Sequence, residues 1–236
     1  PLNSVIGFAE ILRDTPLNEE QYDYVNTIQR SGDALISVIN DILDFSRIEA
    51  GELTLDSIDF DPEMTAYDVC EMVMPRISEK TVELMCRIGD HVPAFVSGDA
   101  IRFRQVLLNL LGNASKFTES GEIEVSLEME KELDDQPLKE NTKEGDKITE
   151  SGIPEGADVK LHVTVRDTGI GIPEERLPSI FDAFRQADGS ISRRYGGSGL
   201  GLPISREIAR LMGGDVWAES TPDQGTLVTV TLPLYR

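Results

Sequence analysis

Asn109 and Asn113 lie four residues apart, with Lys116 less than one turn further on, in the stretch NLLGNASKFT (residues 109–118). On a helix this spacing puts the two amides on one face. Mg²⁺ takes oxygen ligands and gives up its waters reluctantly, so neutral amide oxygens beside phosphate oxygens make a sensible partial shell. Lys116 is placed to reach a phosphate. Amides on a helix also cap or bond to a neighbouring sheet, and taken alone the pair would read that way. Asp167 opens DTGIGIP (residues 167–173) directly after a run of alternating apolar residues. A carboxylate at a strand end can accept a hydrogen bond from an exocyclic amine such as adenine N6, while Gly169 and Gly171 let the backbone pass close to a planar base. The plainer alternative is an ordinary Asp-Thr-Gly turn. GGSGLGL (residues 196–202) then leads into a helix expected over 202–212, with Pro203 tolerated in its first turn. Free N–H groups at such a start seat phosphate oxygens. The glycines are not the dinucleotide fingerprint, and no P-loop is present. Together the three segments describe a pocket for a nucleotide and its metal.

The elements that position these residues follow from periodicity. Leu2, Val5, Ala9 and Leu12 step by three and four, Asp14-Thr15-Pro16 stops that helix, and Asn18 with Glu19 and Glu20 starts a second. Val25, Ile28, Gly32, Leu35, Ile39 and Ile42 continue the rhythm, with Ile36, Leu43 and Ile48 widening the stripe. Two helices cannot cover that much apolar surface alone. A four-helix bundle made by two chains would, and packing on the chain's own C-terminal part is the alternative. Beyond Ala50-Gly51-Glu52 the pattern mixes helices, expected over 62–74 and 99–116, with strands over 82–88, 122–128, 159–165, 215–218 and 226–232. Residues 129–158, rich in Glu, Asp, Lys and Gly, are expected to form a mobile surface insertion between two neighbouring strands. The predicted division is a hairpin at 1–56 and a mixed domain at 57–236.

Composition narrows the classes. With 236 residues and a formal net charge of −21, the chain has room for real cores and lacks a basic face for nucleic acid or an anionic membrane. A polyanionic nucleotide can still bind where backbone N–H groups and a metal offset that field. No apolar run reaches the roughly 18–20 residues of a bilayer span. Cys70 and Cys86 form no metal-ligand or CxxC pattern and read as small apolar residues in a reducing compartment. His91, in a polar loop, and His162, within a strand, have no neighbouring acid motif and read as surface or satisfied histidines. Phe181 and Phe184 read as core anchors of a lid that orders over the nucleotide.

These segments resemble the catalytic core of sensor histidine kinases of the hybrid type. NLLGNASKFT is similar to the N box, DTGIGIP to the first glycine box, FDAF (residues 181–184) to the F box and GGSGLGL to the second glycine box. Residues 1–8 and 41–51 resemble the two helices of the dimerisation and phosphotransfer domain. The resemblance covers the chain apart from the acidic insertion. It implies an α+β fold class, in which a helical hairpin forming a dimeric four-helix bundle precedes an α/β sandwich of the Bergerat type. Asn113, assisted by Asn109, would hold Mg²⁺; Asp167 would bind adenine; Lys116 would approach phosphate. Gly169, Gly171, Gly197, Ser198, Gly199, Leu200 and Gly201 would shape the ATP pocket, with Gln186 as a lid residue near the γ-phosphate. The family motif His-Glu-x-Arg-Thr-Pro is met here only from Pro1, so the phosphoacceptor histidine is expected just upstream. The implied cofactors are ATP and Mg²⁺, and the implied partners are a second copy and a response-regulator receiver domain. The implied location is the cytoplasm, including the cytoplasmic portion of a membrane protein. Two rivals are an ATP-driven conformational switch of the gyrase and chaperone class and a non-catalytic scaffold. The former carries a Glu four residues before its metal Asn, where this chain has Asn109, a poor general base.

Overall fold

In the computed structural model, which describes residues 1–129, 159–183 and 198–235, the chain divides into two units, Pro1–Leu53 and Thr54–Arg236.

The first unit is a helical hairpin, α1 (Leu2–Arg13) and α2 (Glu19–Glu49). Asn18 starts α2 as the sequence suggests. Its Oδ1 accepts from the Gln21 N–H at 2.8 Å, and Gln21 Oε1 accepts from the Asn18 N–H at 3.1 Å, a reciprocal capping box. The apolar seam within the hairpin differs from the expected one: Ile6 and Ala9 of α1 are buried with Val25 and Gly32 of α2. A Cβ at position 32 would lie 2.6 Å from Ile6 Cγ1, so Gly32 is what allows the close approach. Val5, Leu12, Ile28, Leu35, Ile39, Ile42 and Leu43 remain between 43% and 52% exposed. The three-four spacing is correct, but one stripe packs inside the hairpin and a second stays open.

The second unit is built on a five-stranded sheet in the order β2-β4-β5-β7-β6. Its strands are β2 (Thr81–Ile88), β4 (Ser120–Met129), β5 (Val159–Asp167), β6 (Asp215–Thr221) and β7 (Gly225–Leu234). β2 and β4 are parallel and the other pairs antiparallel. Alternation assigns the faces. Ile123, Val125 and Leu127 of β4 and Leu161, Val163 and Val165 of β5 are buried beneath the helices. The opposite face carries Glu122 and Glu124, both ion-paired to Arg166. The covering helices are α3 (Pro62–Ile77), α4 (Ala100–Phe117) and α5 (Gly201–Leu211). β4 and β5 pair directly, Ile123 opposite Asp167 and Met129 opposite Leu161, so residues 129–158 do join sheet neighbours. The insertion from 130 to 158 lies outside the described residues.

Two local departures have simple causes. α3 runs three residues past its expected end and contains Pro75. In the last turn proline removes only one intrahelical bond, while Ile77 is buried and the Ser78 N–H still reaches Met74 O at 3.0 Å. β1 (Ile58–Phe60) and β3 (Val96–Gly98) form a separate two-stranded sheet, each too short to show a period. Their packing helps define the start of α4, where Asp99 Oδ1 accepts from the Arg102 N–H and Oδ2 from the Asp56 N–H.

Candidate nucleotide site

Phe103, Val106, Leu107, Leu110, Leu111 and Ala114 anchor α4 in the core. That orientation leaves Asn109, Asn113 and Lys116, at positions i, i+4 and i+7, as a half-buried polar stripe along its flank. Asn109 does not stand free. Its Nδ2 donates to Gly201 O at 3.1 Å and to Ser205 Oγ at 3.2 Å. Ser205 in turn donates to Gly201 O at 2.9 Å. The N-terminal turn of α5 is thereby tied to the middle of α4, and the Asn109 amide orientation is set with its oxygen outside this network.

DTGIGIP is stitched in on both sides. Asp167 ends β5, and its Oδ1 accepts from the Gly169 N–H at 2.8 Å. The Ile170 N–H reaches Phe117 O, the last residue of α4, at 3.4 Å. On the other side Ile172 N–H donates to Ser220 Oγ at 2.8 Å, and Asp223 N–H donates to Ile170 O at 2.9 Å. Two glycines are required here. A Cβ at Gly169 would fall 2.4 Å from Phe117 O; at Gly171, where φ is +65°, it would fall 2.1 Å from Thr221 O. The loop therefore touches the end of α4 and the β6–β7 turn at once.

At the second glycine segment, Gly199 adopts φ +70° and Ser198 Oγ accepts from the Leu200 N–H at 3.2 Å. Leu200 is the N-cap of α5 and gives it no side-chain cap, so first-turn N–H groups are left for another acceptor. Gly201 is the first residue of α5 and lies against Asn109. Gly197, Gln186 and Phe184 lie outside the described residues, as does most of the expected lid. Phe181 is buried with the Arg206 guanidinium 5.0 Å above its ring, a cation–π contact that fixes the start of that segment on α5.

Electrostatics mark two groups. Burial pushes the Asp167 carboxyl above the ordinary aspartate value, partly offset by the Gly169 and Thr226 N–H groups that favour its charged form. Burial also lowers the Lys116 ammonium, whose Nζ sits 4.8 Å over the Phe117 ring. Among the described residues, no cluster of three or more His, Cys, Asp or Glu could hold a metal by itself. The donors at hand are amides, which fits an ion shared with phosphate and water.

The structure thus brings the Asn109–Lys116 stripe, Asp167 with its glycine loop and the residue 198–201 turn to the borders of α4. Ser205 and Ser220, which hold two of these junctions, were not singled out from sequence. The available signal was Ser205 itself, a fully buried hydroxyl within an apolar helix face.

Known proteins share these features. Residues 98–236 match the family model "Histidine kinase-, DNA gyrase B-, and HSP90-like ATPase" and residues 1–51 match "His Kinase A (phospho-acceptor) domain". The chain is 43% identical over 226 residues to the signal transduction histidine-protein kinase BarA of Escherichia coli K12, covering 96% of the chain and 22% of that protein. It is 38% identical to the sensor protein GacS of Pseudomonas syringae pv. syringae, covering all of this chain and 24% of that protein. Among solved structures, full-length ShkA in complex with AMPPNP superposes with a TM-score of 0.73 at 32% identity, over 100% of this chain and 43% of that one. The histidine kinase AdeS of Acinetobacter baumannii, at 16% identity and a TM-score of 0.62, shares the fold over 100% of this chain and 96% of its own. The chain spans about a fifth of the length of the curated relatives BarA and GacS. With both domains matched in order, the chain belongs to the histidine kinase family, a His Kinase A domain followed by a histidine kinase-, gyrase- and HSP90-like ATPase domain.

Proposed function

We propose that the Thr54–Arg236 unit binds Mg-ATP and that the γ-phosphoryl group passes to a histidine of the phosphotransfer hairpin type. From there it passes to the aspartate of a response-regulator receiver domain. In this reading the chain works in the cytoplasm as a homodimer through the open stripe of Pro1–Leu53. The observation that carries the proposal is the joining of three separate segments at α4: Asn109 bonded to Gly201 O, and Ile170 bonded to Phe117 O. The relative ShkA, solved in complex with AMPPNP, supports a triphosphate nucleotide as the occupant.

The roles follow from chemistry. Asp167 accepts from the adenine amine, and Gly169 and Gly171 let the base lie against backbone. The N–H groups of the Gly197, Ser198, Gly199, Leu200 and Gly201 segment take phosphate oxygens at the α5 N-terminus. Lys116 offsets phosphate charge, and its cost of burial falls when that charge arrives. Gln186 contributes from the lid near the γ-phosphate. Asn113, with Asn109 beside it, holds Mg²⁺, which supplies charge neutralisation on the phosphates. Phosphoryl transfer needs mainly alignment and charge compensation. Asn109 cannot act as the water-activating base that hydrolysis would require, so the geometry favours transfer to another side chain.

Titration calorimetry with and without magnesium tests the assignment. Asn113→Ala should abolish the magnesium-dependent part of ATP binding while the unit stays folded; unchanged ATP affinity in magnesium would overturn the metal role.

A further inference from the structure

Building on the phosphate role proposed for Lys116, we infer that Lys80 is a positioning residue for that contact. Lys80 lies outside every segment given to the nucleotide, and its ammonium clamps the last turn of α4, which carries Lys116.

The need for a clamp follows from how α4 ends. A helix leaves its last four carbonyls without intrahelical partners, and here they belong to Ser115, Lys116, Phe117 and Thr118. The chain leaves the helix at Thr118 in an extended conformation, φ −107° and ψ 120°, and runs through Glu119 into β4. The turn that a glycine after the helix would fold back onto those carbonyls is therefore not formed. Partners come from remote elements instead. The Ile170 N–H takes Phe117 O, while Lys80 Nζ donates to Ser115 O at 2.8 Å and to Thr118 O at 3.0 Å.

Register explains the reach. β2 pairs with β4 in parallel, Thr81 opposite Ser120, which sets Lys80 level with Glu119 and beside the end of α4. The Lys80 N–H also closes the turn after α3, on Ile77 O at 2.9 Å. Its side chain is only 20% exposed, and the third donor direction faces Glu119 Oε1 at 3.5 Å. Glu119 is 55% exposed, so that ion pair adds little and the two carbonyls do the holding. A cation placed there also meets the negative end of the helix dipole.

Lys116 lies between the two gripped carbonyls in sequence. Ser115 and Thr118 are buried, so without Lys80 their carbonyls find water only if the turn opens. Opening carries Lys116 away from the phosphates. The glycine loop keeps its bonds to Ser220 and Asp223, so the base end of the pocket is spared.

Calorimetric titration of the whole chain with Mg-ATP and with magnesium pyrophosphate tests this, at a temperature where thermal melts show each variant folded. Lys80→Met should weaken both ligands by the same factor, roughly fivefold to tenfold, the scale of coupling within one network. A merely structural Lys80 would lower the melting midpoint and leave both affinities of the folded chain unchanged, which would overturn the inference. Lys116→Met should weaken both ligands too, and adding Lys80→Met to it should cost less than about a further twofold. Fully additive losses would overturn the inference, as would a loss for ATP alone. Glu119→Gln should stay within about twofold; a loss there as large as that of Lys80→Met would overturn the carbonyl clamp. If Lys80→Met does not fold, Lys80→Gln, which keeps an N–H donor without the charge, carries the same cycle. Should Lys116→Met leave both affinities intact, the phosphate role of Lys116 falls and the inference with it. A loss on Lys116→Met with none on Lys80→Met overturns the inference alone.

Discussion

Asp167, proposed to bind adenine, is held in the fold at a cost. Its folded pKa lies above its unfolded one because burial disfavours the charge. The folded unit therefore keeps the proton longer than the unfolded chain. Stability is greatest below the ordinary aspartate pKa, falls as pH rises through the window up to the raised folded value, and carries the full penalty above it. Asp167→Asn keeps an oxygen for the Gly169 N–H and deletes the charge. Thermal melts of the nucleotide-free variant should show a higher midpoint than wild type at pH 7 and no difference in strong acid. ATP affinity should drop by about 2 kcal/mol, the usual worth of a hydrogen bond to a charged acceptor, while pyrophosphate binding is unchanged. Equal losses for both ligands would remove the residue from the base end of the pocket. Lys116 has the same logic with opposite charge, since burial lowers its pKa and phosphate would repay it.

At the scale of elements, the glycine loop after β5 is a joint between α4 and the β6–β7 turn. Its dimensions leave no room for side chains at positions 169 and 171. Gly171→Ala combines a left-handed backbone with a methyl group 2.1 Å from Thr221 O. It should destabilise the second unit by about 3 kcal/mol, the sum of backbone strain and overpacking. Chemical denaturation of the chain would read this, and a loss below about 1 kcal/mol would mean that the loop moves aside freely. Much of this scale was legible in sequence. The alternation of 122–128 and 159–165 marked β4 and β5, and the apolar spacing of Val106, Leu107, Leu110 and Leu111 marked α4. β1 and β3 were not legible because three residues carry no period. The end of α3 was less legible, because the tertiary burial of Ile77 carries the helix through Pro75 to a point that no local pattern marks.

For the molecule as a whole, the hairpin is an unfinished core. Its internal seam buries Ile6, Ala9 and Val25 against Gly32, and seven larger apolar side chains remain about half-exposed. A second hairpin would cover them, which favours a four-helix bundle. Sedimentation should give a dimer that Leu35→Asp or Ile39→Asp converts to monomer, because each places a charge in the apolar seam; a monomeric wild type would refute the bundle. The sequence by itself determined the family, the order of the helices and of the five strands of the main sheet along the chain, and the three segments of the candidate site. Those depend on residue type and short spacing, which local sterics translate directly into turns, caps and periodic faces. Only the tertiary structure decided that Asn109 clasps Gly201 and Ser205 and which stripe of the hairpin packs inward. Each of these depends on the distance between elements remote in sequence, and that distance is set by packing rather than by any local pattern.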